Sequence, residues 1–213
     1  MNTESLSRGG AKTIKVKVGV GNRSEERQQI KTLIGEAKGD VRIRLDANQV
    51  FDLGQTADWI EWASDLQEIE FIEQPMPVGS EEMIFDEFGE EARKIALDES
   101  VVSEASLDRF LDMDWPGPFV IKPSLFGNPE SLIALPESVR GRLVLSSAFE
   151  TGIGFSWVLA LADQLVGKKR DHGLGTRGWF GADGLDGWSA GTHFSGEITE
   201  ERLEKVWNNA AVF

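Results

Sequence analysis

The chain has 213 residues, of which 40% are hydrophobic and 27% charged, a composition typical of a globular domain and not of a disordered segment. Its formal charge of -14 argues against nucleic acid and anionic membranes as partners, and it favours a metal or another cationic ligand. The absence of cysteine excludes disulfides, thiolate metal sites and a cysteine nucleophile, and a reducing, cytoplasmic location is expected. The polar N-terminus does not resemble a secretion signal, and no apolar run approaches the roughly 18 residues of a membrane span.

Short β-rich runs recur along the chain, and each ends in polar residues or a turn signal. They are TIKVKVG, VRIRLDAN, IEFIEQP, KIALDES, PFVIKPS and RLVLSSAF. A seventh short strand is predicted within residues 171–176. These runs predict a mainly buried sheet, because near-continuous apolar strands are typical of sheets covered by helices.

Helical patterns lie between the predicted strands. Hydroxyl side chains favour N-caps, so helices are predicted to begin at Ser24 after the first strand, at Thr56 after the second and at Ser103 after the fourth. Asn128 and Pro129 are predicted to open a helix through Leu135, and the apolar segment from Phe155 reads as a buried helix. The alternation of strand and helix predicts parallel βα units.

One polar residue stands at the C-terminal end of each successive strand, at steps of 24 to 29 residues. A parallel (β/α) barrel would bring these ends to one face, whereas an open doubly wound sheet would spread them along an edge. The pattern favours the barrel: one partial barrel domain over residues 1–213, with a C-terminal tail from about 177 to 213 packed on it. The residues are Lys17, Asp46, Glu73, Asp98, Lys122 and Ser146.

Two lysines, Lys15 and Lys17, lie on one face of the first strand with their stems about 7 Å apart. At that distance like charges repel by roughly 2 kcal/mol, which favours the neutral form of one lysine and so a base near neutral pH. The alternative interpretation is a solvated strand face.

Three carboxylates, Asp46, Glu73 and Asp98, would converge from consecutive strands and repel one another unless a cation joined them. Oxygen ligands without cysteine or a nearby histidine suit a hard divalent ion, Mg²⁺ first and Mn²⁺ second. Any one of these acids could instead cap a turn. Their shared position in successive repeats, between Lys17 and Lys122, favours the metal site.

In this order and spacing, KVKVG, RLDAN, FIEQP, ALDES, VIKPS and LSSAFETGIG resemble the enolase superfamily, specifically its muconate-lactonizing-type branch, over residues 12 to about 176. Within the branch, LSSAFE and HGLGT are most similar to the o-succinylbenzoate synthase family of menaquinone biosynthesis. The resemblance implies a carbon-oxygen lyase (hydro-lyase) that uses Mg²⁺ to dehydrate 2-succinyl-6-hydroxy-2,4-cyclohexadiene-1-carboxylate to o-succinylbenzoate through an enediolate.

The resemblance also implies roles for individual residues. Asp46, Glu73 and Asp98 become the Mg²⁺ ligands, Lys17 becomes the base, and Lys122 stabilises the enediolate from the opposite face.

Further roles concern the small-molecule carboxylate substrate. The resemblance places Lys15, Arg44 and Asn48 at the mouth of the site, and it assigns the succinyl portion to Ser146 and the backbone at Gly173. Glu99, beside a ligand, is expected to point away from the metal and to orient a neighbouring side chain.

Two other functions stay open. An N-acylamino acid racemase or a dipeptide epimerase would use the same two lysines on opposite faces of its substrate, and an inactive barrel fragment would act only through contacts. The family pattern further leads us to expect a capping domain and a first barrel strand and helix that this chain lacks. A missing capping domain or a partner chain would then complete the site.

Overall fold

Strands and helices alternate along the chain in the computed structural model, which describes residues 13–37, 41–165, 170–176, 189–190, 193–194 and 204. The strands are β1 (Thr13–Lys17), β2 (Arg42–Asp46), β3 (Ile69–Glu73), β4 (Ile95–Ala96), β5 (Phe119–Ile121), β6 (Leu143–Leu145), β7 (Ser189–Ala190) and β8 (His193–Phe194). The helices are α1 (Arg23–Glu36), α2 (Leu53–Ser64), α3 (Glu81–Phe88), α4 (Glu104–Asp112), α5 (Ser131–Ala134), α6 (Glu137–Arg140) and α7 (Gly152–Gln164), with 3₁₀ helices at Gly89–Lys94 and Pro123–Leu125. Among the helices of the described ranges, none has the length and apolar character needed to cross a membrane.

The first four strands form one parallel sheet in the order β1-β2-β3-β4. Lys17 is in register with Asp46, and Asp46 is in register with Glu73. Because parallel strands end on the same side, these three side chains start from neighbouring points of one edge.

The later strands continue the same parallel arrangement. β5 pairs with β6, a bridge between Leu97 and Phe119 connects β5 to the end of β4, and a bridge between Ser146 and Gly173 adds the predicted seventh position. The predicted parallel α/β order is therefore confirmed over these elements. Closure into a complete barrel stays a prediction, since within the described residues β1 has a backbone partner only in β2.

A small apolar layer lies directly below the predicted site residues. Residues two apart on a strand share a face, so each member of this layer supports the polar residue two positions further along. The layer consists of Phe71, Ala96, Val120 and Val144, below Glu73, Asp98, Lys122 and Ser146. The main core packs the other strand faces against the helices, with Trp59 and Ile30 among its fully buried members.

Helix starts agree with the sequence prediction at one of three positions. Ser103 caps α4 and accepts a hydrogen bond from the Ser106 N–H, as expected. The predicted caps Ser24 and Thr56 are wrong, because Asn22 caps α1 and Asp52 caps α2 in a capping box with Gln55.

Two other segments also differ from expectation. The helix predicted from Asn128 to Leu135 is shorter in the structure, where only α5 (Ser131–Ala134) is helical within that range. Helix α3 (Glu81–Phe88) was not predicted. The predicted tail, residues 177–213, lies outside the described residues apart from the antiparallel pair β7 and β8 and residue 204. Its packing and the single-domain organisation stay predictions.

Candidate active site at the strand ends

Two of the three predicted metal ligands meet at one ammonium group. Lys15 Nζ lies 2.9 Å from Asp46 Oδ2 and 2.8 Å from Glu73 Oε1. Asp98, from the next strand, pairs through Oδ1 with Lys122 Nζ. We call Asp46, Glu73 and Asp98 the carboxylate triad; all three are buried.

The electrostatics of the triad show an excess of buried negative charge. Burial, together with the neighbouring Asp98 and Asp46, raises the pKa of Glu73 to about 8, although the charge of Lys15 opposes the shift. When three acids share a buried site, at least one of them should resist ionisation, and here that acid is Glu73. The triad therefore favours the approach of a cation.

Lys15 provides part of the positive charge that balances the carboxylate triad. Burial by itself would lower the pKa of Lys15, but attraction to Glu73 and Asp46 outweighs it and raises the pKa above its usual value. The sequence predicted that repulsion from Lys17 would favour the neutral form of one lysine of the pair, whereas in the structure Lys15 pairs with two acids that favour its charged form. Its contact with a substrate stays a prediction.

The donor set of the triad fits Mg²⁺, which prefers carboxylate oxygens. Within the described part of the chain, however, no three acid or histidine side chains stand ready to hold a metal ion together. Lys15 and Lys122 instead contact the carboxylate oxygens. The residues suit the ion chemically, and binding would require both ammonium groups to move away.

Lys17 and Lys122 flank the triad in the order of the strands. Lys17 ends β1 and is exposed, and its side chain makes no hydrogen bond or ion pair with any other described residue. Lys122 follows β5 and contacts Asp98. The two amines therefore belong to strands on either side of the acids, as the proposed chemistry needs.

Arg44 lies one layer below the triad and is 3% exposed. Its Nε lies 2.7 Å from Glu70 Oε2, its Nη2 donates to the Asp171 carbonyl at 2.6 Å, and its guanidinium stands 4.9 Å from the Phe71 ring centre. Three arginines, Arg42, Arg44 and Arg170, surround the Glu70 carboxylate, and we call this group the arginine cluster. Arg44 is engaged inside the protein, and its predicted substrate contact stays a prediction.

The remaining predicted residues lie at the same end of the strands. Asn48 Nδ2 donates to Glu99 Oε1 at 3.1 Å, in agreement with the expectation that Glu99 orients a neighbour. The Asn48 N–H also donates to Asp46 Oδ1 at 3.1 Å. Ser146 and Gly173 stand side by side across a parallel bridge, so the structure brings these two predicted contacts together.

Several polar groups near the site were not found from the sequence. The Glu26 carboxylate accepts hydrogen bonds from the N–H groups of residues 19–21 at 2.8 to 3.0 Å and so holds the loop after Lys17. Glu150 accepts from Ser124 and Ser147 at 2.6 Å; partial burial opposes their effect, but these bonds hold the pKa of Glu150 below its usual value. No spacing rule marks such contacts, because each involves an irregular loop whose backbone has no regular period.

Gln74, next to Glu73, is a further residue of this kind. It is 1% exposed, and its φ of 36° is unusual for a residue other than glycine. Its position in the FIEQP run was the only available signal.

Known proteins resemble the chain over most of its length. Residues 2–126 match the family described as Enolase C-terminal domain-like. An o-succinylbenzoate synthase of Thermosynechococcus vestitus is 36% identical over 200 residues, which cover 91% of this chain and 58% of that protein. An o-succinylbenzoate synthase of Thermobifida fusca is 29% identical over 208 residues, which cover 92% of this chain and 63% of that protein.

A solved structure supports the same fold. The crystal structure of o-succinylbenzoate synthase from Thermosynechococcus elongatus BP-1, complexed with Mg in the active site, superimposes with a TM-score of 0.76 at 32% identity. The aligned region covers 97% of this chain and 62% of that one. The chain thus spans less than two thirds of the length of these relatives.

Proposed function

The chain belongs to the enolase C-terminal domain-like family of the enolase superfamily, and we propose that it is the catalytic part of an o-succinylbenzoate synthase. The reaction is the dehydration of 2-succinyl-6-hydroxy-2,4-cyclohexadiene-1-carboxylate to o-succinylbenzoate, in the hydro-lyase class. One observation carries the proposal: Asp46 and Glu73 end the adjacent parallel strands β2 and β3, and Asp98 follows β4 by two residues, between Lys17 and Lys122. Identity of 36% to a synthase over 91% of the chain supports this substrate over the racemase and epimerase alternatives.

Asp46, Glu73 and Asp98 would hold Mg²⁺, or Mn²⁺ as a second choice. The bound ion would supply positive charge beside the substrate carboxylate. Lys15 and Lys122 would first leave the carboxylate oxygens, which their partial exposure permits, since the side chains are 43% and 29% exposed.

Lys17 is the proposed base. It removes the proton from the carbon next to the substrate carboxylate, and the electron pair of that C–H bond forms the enediolate. The electron pair of the enediolate then forms the new C=C bond of the ring as the bond to the β-hydroxyl breaks, and the ammonium of Lys17 returns its proton to the departing oxygen as water forms. Lys122 stabilises the enediolate charge, which is larger in the transition state than in the substrate.

The remaining residues would bind the substrate. Ser146 and the backbone of Gly173 face the succinyl portion in this proposal, and their pairing across one bridge supports a shared role. Lys15, Arg44 and Asn48 would contribute charge and hydrogen bonds around the carboxylate end.

We propose that a capping domain or a partner chain covers the strand ends of the complete protein. Each of the loops after β1 to β6 exposes one large apolar side chain, so the same end of the strands carries six of them, and a surface they formed together would suit a contact with another domain or chain. They are Val20, Val50, Val78, Val102, Leu125 and Phe149, which are 49% to 71% exposed. A cover at this position would exclude water from the reaction.

Turnover of the cyclohexadiene substrate with Mg²⁺ tests the proposal. Lys17→Ala should lower kcat by about a thousandfold, because it removes the base and the acid together. Lys31→Ala, at an exposed lysine of α1, is the matched control and should leave kcat unchanged.

Three results would contradict parts of this proposal. Near-normal turnover by Lys17→Ala removes Lys17 from the mechanism. Deuterium incorporation at the α carbon of an N-acylamino acid or dipeptide, without loss of water, assigns the site to a racemase or epimerase. A protein that binds no Mg²⁺ by calorimetry is the inactive fragment.

A further inference from the structure

The side-chain amide of Gln74 uses its full hydrogen-bonding capacity inside the protein. Its Oε1 accepts from the Asp98 N–H at 2.9 Å and from the Ser100 N–H at 3.3 Å. Its Nε2 donates to the Met76 carbonyl at 3.1 Å and to Ser100 Oγ at 2.8 Å. The residue that follows the ligand candidate Glu73 therefore holds the backbone of a second one, Asp98.

The backbone of Gln74 reaches the same two neighbouring strands. Its N–H donates to the Ala96 carbonyl of β4 at 2.8 Å, and its carbonyl accepts from the Gln49 N–H at 2.7 Å. Gln49 follows Asp46 by three residues. The ends of β2, β3 and β4, each of which carries one acid of the triad, are thus joined through a single residue.

A second group of buried hydrogen bonds holds Ser100, the partner of the Gln74 side-chain amide, in place. Ser100 Oγ donates to Glu81 Oε1, and the Glu81 carboxylate accepts from the Gly79 N–H at 3.0 Å. Ser100 and Glu81 are both buried. Gln74 therefore cannot rotate its amide without leaving buried polar groups unpaired.

The left-handed backbone conformation of Gln74 also indicates a constrained, functional position. A non-glycine residue keeps such a conformation only where the surrounding contacts impose it, and such positions cluster at functional sites. Here the imposed conformation lets one residue contact strands on both of its sides.

We propose that Gln74 is a positioning residue that sets the spacing of Asp46, Glu73 and Asp98, and with it the affinity of the triad for Mg²⁺. The inference rests on the proposed function, since it requires the triad to bind the ion. Mg²⁺ demands a near-ideal arrangement of oxygens, so a small shift of one strand end weakens binding. Groups that orient metal ligands commonly change affinity by 10- to 100-fold when replaced.

Calorimetric titration of the 213-residue chain with Mg²⁺ tests this inference. Gln74→Met keeps the length of the side chain and removes its hydrogen bonds, and it should weaken Mg²⁺ binding by about tenfold or more. Bound Mn²⁺ should also give an altered electron paramagnetic resonance spectrum, which reports ligand geometry and not stability.

The control is Leu132→Ala, which removes a fully buried apolar side chain of α5 outside this hydrogen-bonded group. It should lower stability and leave the Mg²⁺ affinity and the Mn²⁺ spectrum unchanged. Ser100→Ala is a milder second variant, because it removes one partner of the Gln74 amide, and it should weaken binding by a few-fold.

The outcomes separate this inference from the proposed function. If the unaltered chain binds Mg²⁺ and Gln74→Met binds it equally well, the inference alone fails. If Gln74→Met does not fold, an unchanged affinity in Ser100→Ala overturns it. If the unaltered chain does not bind Mg²⁺, both the metal site and the inference fail.

Discussion

The carboxylate triad and the arginine cluster are two buried charged groups on neighbouring strand positions, and their balance of charge is opposite. In the triad, three acids share two ammonium groups, those of Lys15 and Lys122. In the arginine cluster, one acid, Glu70, has the guanidinium of Arg170 at 2.6 Å, that of Arg44 at 2.7 Å and a third at 3.6 Å.

The difference separates the proposed metal site from a group that holds the fold. The cluster supplies more positive charge than its acid needs, and it connects β2 and β3 to residues 170–171, so the Glu70 carboxylate is fully paired within the protein. The triad keeps an excess of acid, which leaves Glu73 with a pKa raised to about 8 by burial and by its acidic neighbours. A divalent cation would correct that excess.

The pH dependence of stability should show the largest contrast. Burial raises the pKa of Glu73 from 4.5 to about 8, so between these values the folded chain binds a proton that the unfolded chain does not. Stability of the metal-free chain should therefore fall as pH rises from about 4.5 to 8, by roughly 5 kcal/mol at the upper limit. Urea unfolding at several pH values measures this fall.

Glu73→Gln and Mg²⁺ provide the controls for this prediction. The variant cannot lose a proton at position 73, so its stability should depend much less on pH. Saturating Mg²⁺ should restore stability to the unaltered chain at pH 8, because binding to the folded state stabilises it. Equal pH profiles for the chain and Glu73→Gln would show that the triad is not strained by its charge.

The arginine cluster should respond in the opposite way to loss of its acid. Glu70→Gln leaves the buried guanidinium of Arg44 without a compensating charge, and it should destabilise the fold by about 3 kcal/mol. Glu61→Gln, at an exposed acid of α2, should change little. Urea unfolding gives the free energies, and calorimetry should show Mg²⁺ affinity unchanged in Glu70→Gln. A stability equal to that of the parent would make the cluster incidental to the fold.

Strand positions of the site could be predicted because they follow from period and spacing. Acids at 46, 73 and 98 end runs of apolar residues, and parallel strands bring such ends together whatever the details of packing. Their pairing with Lys15 and Lys122 could not be predicted, since a flexible lysine stem reaches either a strand neighbour or an acid.

Elements without a long period were missed for a physical reason. The acid-rich α3 is short, with Ile84 as its one buried apolar residue, so tertiary contacts and not an extended apolar stripe define it. Gln74 carries no periodic signal, because its partners lie at or after the ends of three different strands. Helix caps depend on the local backbone, which the sequence does not reveal, so the predicted cap Ser24 gave way to Asn22 in the structure.

The N-terminus of α1 gives the smallest predicted effect and sets a scale for the two charged groups. Asn22 Oδ1 accepts from the N–H of Ser24 at 2.9 Å and from that of Glu25 at 3.3 Å, so Asn22→Ala should cost about 1 kcal/mol of stability. Ser24→Ala, at the cap predicted from sequence, should cost much less, because its hydroxyl is not the capping group. Urea unfolding of both variants measures the difference, and Mg²⁺ affinity should not change in either. Equal losses of stability in the two variants would mean that both side chains share the cap. If Asn22→Ala lost as much stability as Glu70→Gln, the distinction between a local contact and a buried charge would not hold.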